Sequence, residues 1–255
     1  MLITIDIGNT NVMYSLFKGL KITKLKRIRK NLITSYGSLK LYFRFLYKIK
    51  TLEGIIISSV VPELDNLFKI FFLKELRIDV IFVNKISKKF NFKTMIKNKQ
   101  SIGADRMVNV IYSKSLTKCP LMIIDFGTAT TIDYVNCDGV YEGGIISPGI
   151  DLSLKSLHQF TSKLPLVKFK ETKNIIGNDT KSAIQSGFFW GYLSMIKGLI
   201  KLVNEETKVN SNLIITGGNC KIFASYIKNI YLVDEYLSMK GLNFIFRELK
   251  KNEKR

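Results

Sequence analysis

Two short segments constrain this chain more than anything else in it. LITIDIGNTN, Leu2 to Asn11, carries an apolar run into Asp6, then one residue, then Gly8 followed by Asn9, Thr10 and Asn11. LMIIDFGTATTIDYV, Leu121 to Val135, repeats the arrangement 119 positions later, with Asp125, one residue, Gly127, then Thr128 and Thr130. A short apolar run closed by turn residues predicts a buried strand. Glycine two places beyond the acid predicts a tight turn at its end. A repeat spaced near half the chain predicts two similar halves. Strand meanders open each half and helix–strand units follow. The pattern therefore predicts an α/β protein of two lobes with a cleft between them, residues 1–118 forming the N-terminal lobe and 119–255 the C-terminal one.

The rest of the chain reads as follows. Residues 2–7 form a first strand, and YSLFKGLKITKLKRI alternates as a hairpin that turns at Lys18-Gly19. Residues 36–49 and 103–116 show helical apolar spacing. GIIISSVV is a strand buried on both faces, after which Pro62 opens a helix, a position where its missing N–H costs nothing. DVIFV, 79–83, is another strand. The pattern restarts at Cys119-Pro120 with strands in LMIIDFG, TTIDYV and VYEGGIISPGI, helices over 151–158 and 179–203, and a late strand, LIITGGN, ending on a glycine pair. The lysine-rich end receives no element, and KNEKR reads as a solvated terminus.

Composition narrows the classes. With 255 residues and 46% hydrophobic content the chain can bury a real core. No apolar run has the length of a membrane span, and Asp6 comes too early for a secretory signal, so no membrane association and a cytoplasmic location are expected. Cys119, Cys137 and Cys220 lack metal spacing and read as free thiols. The formal net charge is +20. The excess is lysine spread along the whole length, without an arginine-rich arm, zinc-finger spacing or RRM signature. Nucleic acid is therefore not expected as the main ligand.

Glycine after a strand lets backbone approach a phosphate, and Asn9, Thr10 and Asn11 add donors. Asp6 would repel that phosphate unless Mg²⁺ sits between them. Either segment alone favours an ordinary β-turn; two copies, each directly after an apolar strand, favour a nucleotide–metal site. Neither a Walker P-loop nor G-x-G-x-x-G occurs. GADR, 103–106, puts an acid beside an arginine at a helix start. The carboxylate could take a hydroxyl proton and the guanidinium could pair with a ligand oxygen, while an acid satisfying helix amides is the plain alternative. Gly143, Gly144, Pro148 and Gly149 read as a loop shaping the cleft, His158 as a surface or packing residue and Trp190 as a core or subunit-contact residue.

Seven segments carry a resemblance: ITIDIGNTN, IIISSVVPEL, IGADRMVNV, IDFGTATTIDYV, YEGGIISPGI, IGNDTKSAIQSG and IITGGN, in order from Ile3 to Asn219. Together they resemble type III pantothenate kinase, in the acetate and sugar kinase/Hsp70/actin superfamily of two ribonuclease-H-like lobes. The resemblance implies ATP-dependent phosphorylation of pantothenate and an ATP cradle of Asp6, Ile7, Gly8, Asn9, Thr10, Asn11, Val12 and Met13, with Thr128 contributing. It implies Mg²⁺ held by Asp6 through phosphate, and Asp125 binding a monovalent cation, K⁺ or NH₄⁺. It makes Asp105 the general base and Gly103, Ala104, Asp105, Arg106 and Thr180 the pantothenate contacts. It implies a homodimer, and it sets Gly217-Gly218 near adenine or ribose. The chain departs from the family at Ile96 and Lys99, where a tyrosine and a proline are usual, which removes one expected substrate contact. Another small-molecule kinase of the superfamily, or a nucleic-acid-associated regulator keeping the fold, are the alternatives that ATP turnover and acceptor screening separate.

Overall fold

Each Asp-x-Gly segment ends the central strand of its own five-stranded sheet. The computed structural model describes residues 1–49, 51–86, 90 and 92–253. The last two residues of the expected solvated terminus, Lys254 and Arg255, lie outside that range.

The first sheet runs β3-β2-β1-β4-β5, from β1 (Leu2–Ile7), β2 (Asn11–Lys18), β3 (Lys21–Arg29), β4 (Gly54–Ser59) and β5 (Val80–Phe82). β1 pairs antiparallel with β2 and parallel with β4. The second sheet runs β8-β7-β6-β9-β10, from β6 (Leu121–Phe126), β7 (Ala129–Val135), β8 (Tyr141–Pro148), β9 (Asn212–Gly217) and β10 (Ile230–Val233). Here β6 pairs antiparallel with β7 and parallel with β9. Both sheets thus have one topology, an antiparallel meander followed by two parallel strands, as the repeated motif predicts.

Alternation decides which side chains enter which of the two apolar layers that cover each sheet. In the first sheet Ile3, Ile5, Ile7, Ile55 and Ile57 point one way. They meet a ring cluster from α1 (Tyr36–Phe43) and α2 (Pro62–Leu76), in which Phe43 packs edge-on against Phe68 and Phe72. α1 begins at a Ser35–Ser38 capping box. The expected helix over 36–49 changes to a 3₁₀ turn at Arg44–Lys48, which stacks Phe45 on Tyr14 at 5.1 Å. In the second sheet Met122, Ile124 and Phe126 pack with Phe189, Leu193 and Ile196 of α6 (Thr180–Thr207). Asp179 caps α6: the Ser182 amide donates to Oδ1 at 2.9 Å, and that bond holds the Asp179 carboxyl below its ordinary range.

The chain divides into two compact units, Met1–Leu116 with Tyr236–Arg255, and Thr117–Glu235. The expected division put everything after 118 in one lobe; the last stretch instead belongs with the first unit. The reason is a helix to which the sequence reading gave no element, α8 (Leu237–Asn252). Its Leu237, Met239, Leu242, Ile245 and Phe246 are buried, each such side chain contributing roughly 1.5–3 kcal/mol. The helix lies on the face of the first sheet opposite the ring cluster. Thr4 Oγ1 donates to Met239 Sδ at 3.4 Å, and Asn243 Nδ2 and Arg247 Nη2 donate to Gly19 O at 3.2 and 2.7 Å. Gly241 crosses against Val108 of α4 (Ala104–Leu116) so closely that a β-carbon there would stand 2.7 Å from Val108 Cγ1. Two short helices, α3 (Val83–Ile86) and α7 (Cys220–Ala224), follow β5 and β9, and among the described residues no helix is long and apolar enough to cross a membrane.

Candidate active site

The first acid-bearing corner follows from β1 alternation. Ile5 and Ile7 enter the core, so Asp6 faces the other way, half-buried, in register with Met13 of β2 and Ser58 of β4. The Gly8 amide donates to Asn11 O at 2.9 Å, and a β-carbon on Gly8 would press to 3.2 Å of that oxygen. The turn leaves Asn9 and Thr10 exposed, while the Lys30 amide pins Thr10 O at 2.8 Å. Ile7 and Val12 are fully buried. Of the expected ATP cradle these two can therefore offer only backbone groups.

Val60 joins this corner to GADR. Its amide donates to Ile7 O at 3.0 Å, and its Cγ1 stands 3.5 Å from where a β-carbon of Gly103 would lie. Gly103 precedes α4 and accepts the Met107 amide at 3.1 Å. The helix thus starts beside the carboxyl ends of β1 and β4, where ligands of parallel strands bind and helix amides favour negative charge. Asp105 folds its carboxylate back over Gly103, and a β-carbon there would meet Oδ1 at 2.5 Å. Oδ1 accepts the Arg106 amide at 2.8 Å, while among the described residues Oδ2 accepts no hydrogen bond. A half-buried carboxylate held by one oxygen, with the other available, suits a proton acceptor. The structure therefore brings the Asp6 corner and GADR together within one unit.

In the second unit Asp125 is half-buried and in register with Thr131 and Thr216. The Gly127 amide closes the turn on Ala129 O at 3.1 Å. Gly217, at φ 88°, ends β9 against Asp125, and a β-carbon there would lie 2.5 Å from Asp125 Oδ1. In this unit Gly217 backs the Asp125 carboxylate, a part that the reading of this glycine pair as an adenine or ribose contact did not contain. Nearby, burial foremost, then Glu235, pushes the Cys220 thiol up to about 11. Thr128 is exposed; its carbonyl takes the Gly149 amide at 3.0 Å, and a side chain at 149 would run into that oxygen.

The other expected residues fall as follows. Thr180 is the exposed first residue of α6, next to its Asp179 cap. Ile96 is half-buried, its amide donating to Thr94 Oγ1 at 3.0 Å, and Lys99 is exposed at the start of a 3₁₀ turn. His158, at the end of α5 (Ile150–Gln159), bonds through Nδ1 to Leu164 O at 2.7 Å. Trp190 packs edge-on against Phe189 and Tyr226. One pair was passed over in the sequence within the positive charge spread along the chain: Arg27 and Arg29, on the Asp6 side of the first sheet. The alternation KRIR around Ile28 was the available signal.

The family model of type III pantothenate kinase matches residues 2–202. The type III pantothenate kinase of Paramagnetospirillum magneticum is 36% identical, over 97% of this chain and 97% of that one. That of Syntrophus aciditrophicus is also 36% identical, over 97% and 99%. Among solved structures, a Campylobacter jejuni protein described as a candidate Baf family transcriptional activator superposes with a TM-score of 0.63 at 22% identity, covering 98% and 99%. An inorganic polyphosphate/ATP-glucomannokinase from Arthrobacter superposes at 0.50 and 12% identity, covering 97% and 98%. At such identities the structural likeness is one of fold, the two-lobed fold of the sugar kinases. Near-full-length identity to curated relatives carries the rest: this chain belongs to the type III pantothenate kinase family.

Proposed function

We propose that this chain transfers the γ-phosphate of ATP to the primary hydroxyl of pantothenate, giving 4′-phosphopantothenate and ADP, the first step towards coenzyme A. Family membership supports the reaction. The observation that carries its mechanism is the Val60 link, which holds the Asp6 corner and Asp105 at the same strand ends. Phosphoryl transfer needs positioning and charge neutralisation more than covalent chemistry. Gly8, Asn9, Thr10 and Asn11 cradle the phosphates with backbone and side-chain donors, Ile7 and Val12 through backbone alone, and Met13 borders them; Thr128 adds a nucleotide contact. The pantothenate hydroxyl oxygen forms the new bond to the γ-phosphorus as the bond to the β-phosphate oxygen breaks. Its proton passes to Asp105 Oδ2, while Arg106, Gly103, Ala104 and Thr180 hold the rest of the acceptor.

Two ions fit this donor set. Among the described residues no group of three or more His, Cys, Asp or Glu side chains is placed to cage a metal. Without such a cage, a carboxylate at the turn suits Mg²⁺ in the form in which nucleotide phosphates and water complete its shell, and Asp6 is the carboxylate we assign to it. Bound there, it neutralises phosphate charge. Asp125, its carboxylate packed against Gly217, is the donor for K⁺ or NH₄⁺. The working form in this reading is a cytoplasmic homodimer.

The test is an acceptor screen with purified protein, ATP, Mg²⁺ and K⁺, products read by mass spectrometry. Phosphopantothenate is expected as the principal product. Turnover only of other hydroxy-amides would move the substrate, Ile96 and Lys99 being the first residues to revert; no turnover of any acceptor would overturn the kinase reading.

A further inference from the structure

We propose that Arg27 and Arg29 of β3 bind the nucleotide polyphosphate alongside the Asp6 turn; this rests on the kinase reading. The placement follows from register. Asp6 pairs with Met13, and Met13 pairs with Arg27, so Arg27 shares a face and a row with Asp6 across one intervening strand. At the usual strand spacing their backbones lie about 10 Å apart. Asn11 pairs with Arg29, which puts the second guanidinium on the same face beside the glycine turn. Ile28, between them, is buried in the core and fixes both arginines to the opposite side. The Lys30 amide bond to Thr10 O ties the end of this strand to the turn itself.

Charge supplies the reason. From Asp6 to Met13 the cradle has no cationic side chain, and its one ionisable group is an acid. Even with a divalent ion bound, ATP brings excess negative charge to a carboxylate. Guanidinium groups meet phosphate oxygens through paired, charge-assisted bonds and stay charged at any working pH. Arg27 and Arg29 are exposed, and among the described residues neither forms an ion pair, so both are available. Lys24 and Lys26, on the same strand, point to the other face, where Lys24 Nζ sits 3.7 Å over the Phe45 ring. The two faces of β3 thus separate an arginine pair on the Asp6 side from a lysine pair away from it.

The experiment compares R27A/R29A with K24A/K26A, which remove equal charge from opposite faces. MgATP affinity is measured by calorimetry, with KM for ATP and for pantothenate measured in parallel. Loss of the arginines is expected to weaken MgATP about tenfold or more. The pantothenate KM should hold, R27K/R29K should recover part of the loss, and K24A/K26A should match the unaltered chain. Equal losses in both double variants would mean a general field effect, and no loss in either would mean no contact; each overturns the proposal. If the unaltered chain phosphorylates pantothenate while R27A/R29A binds MgATP normally, only this inference fails. If it binds MgATP through the arginines but phosphorylates no acceptor, the kinase reading fails instead.

Discussion

Gly217 shows how one residue without a side chain can decide what a neighbouring acid does. Its φ of 88° is one that L side chains adopt at a cost of about 1–2 kcal/mol, and its missing β-carbon leaves the room that Asp125 Oδ1 fills. Gly217→Ala is therefore expected to displace the Asp125 carboxylate and raise the K⁺ concentration needed for half-maximal turnover, while the protein stays folded. An unchanged K⁺ profile would separate Gly217 from cation binding. Cysteine reactivity tests the same neighbourhood. Burial raises the Cys220 thiol to about 11, so it stays protonated in the fold where an unfolded chain would ionise near 9.0. Its contribution to stability is whole below that lower value and is lost as the pH climbs towards the higher one. Alkylation at pH 8 should mark exposed Cys137 and spare Cys220; equal labelling would mean that the Cys220 site opens readily.

At the scale of elements, legibility depended on whether a signal was local. The central strands, the Pro62 helix and the α4 start were legible, because apolar runs, a proline and an acid mark them within a few residues. α8 was not. Its exposed Lys250 and Lys251 made the stretch read as a solvated tail, small and polar Ser238, Gly241 and Asn243 are buried among its apolar residues, and what it covers lies more than a hundred positions away in the sequence. The tight seat explains why small residues stand there. A β-carbon at Gly54 would fall 2.5 Å from the Phe246 ring. Gly54→Ala should accordingly destabilise the first unit by about 1–3 kcal/mol through overpacking, read as a lower denaturant midpoint with unchanged slope. A neutral result would show that Phe246 has space to move. The role proposed for Asp105 was legible only in part. An acid at a helix start caps helices in any protein; the second half of the signal, Gly103 vacating the space for its carboxylate and Val60 tying both to β1, exists only in three dimensions.

For the whole molecule, two copies of one sheet topology account for the two acid-bearing turns, and the last helix closes the first copy rather than the second. Chain order could not show that return. The net charge of +20 is distributed along the chain, and register, not charge density, singles out the two arginines set beside the Asp6 turn. The central claim is that the Asp6 corner and Asp105 form one phosphoryl-transfer site with divided tasks. It is tested most directly by measuring MgATP affinity and pantothenate turnover for Asp6→Asn and Asp105→Asn beside the unaltered chain. The account predicts that Asp6→Asn weakens MgATP, and that Asp105→Asn leaves MgATP bound while turnover falls by about 10²-fold or more. Near-normal turnover by Asp105→Asn, or MgATP binding untouched by Asp6→Asn, would contradict it.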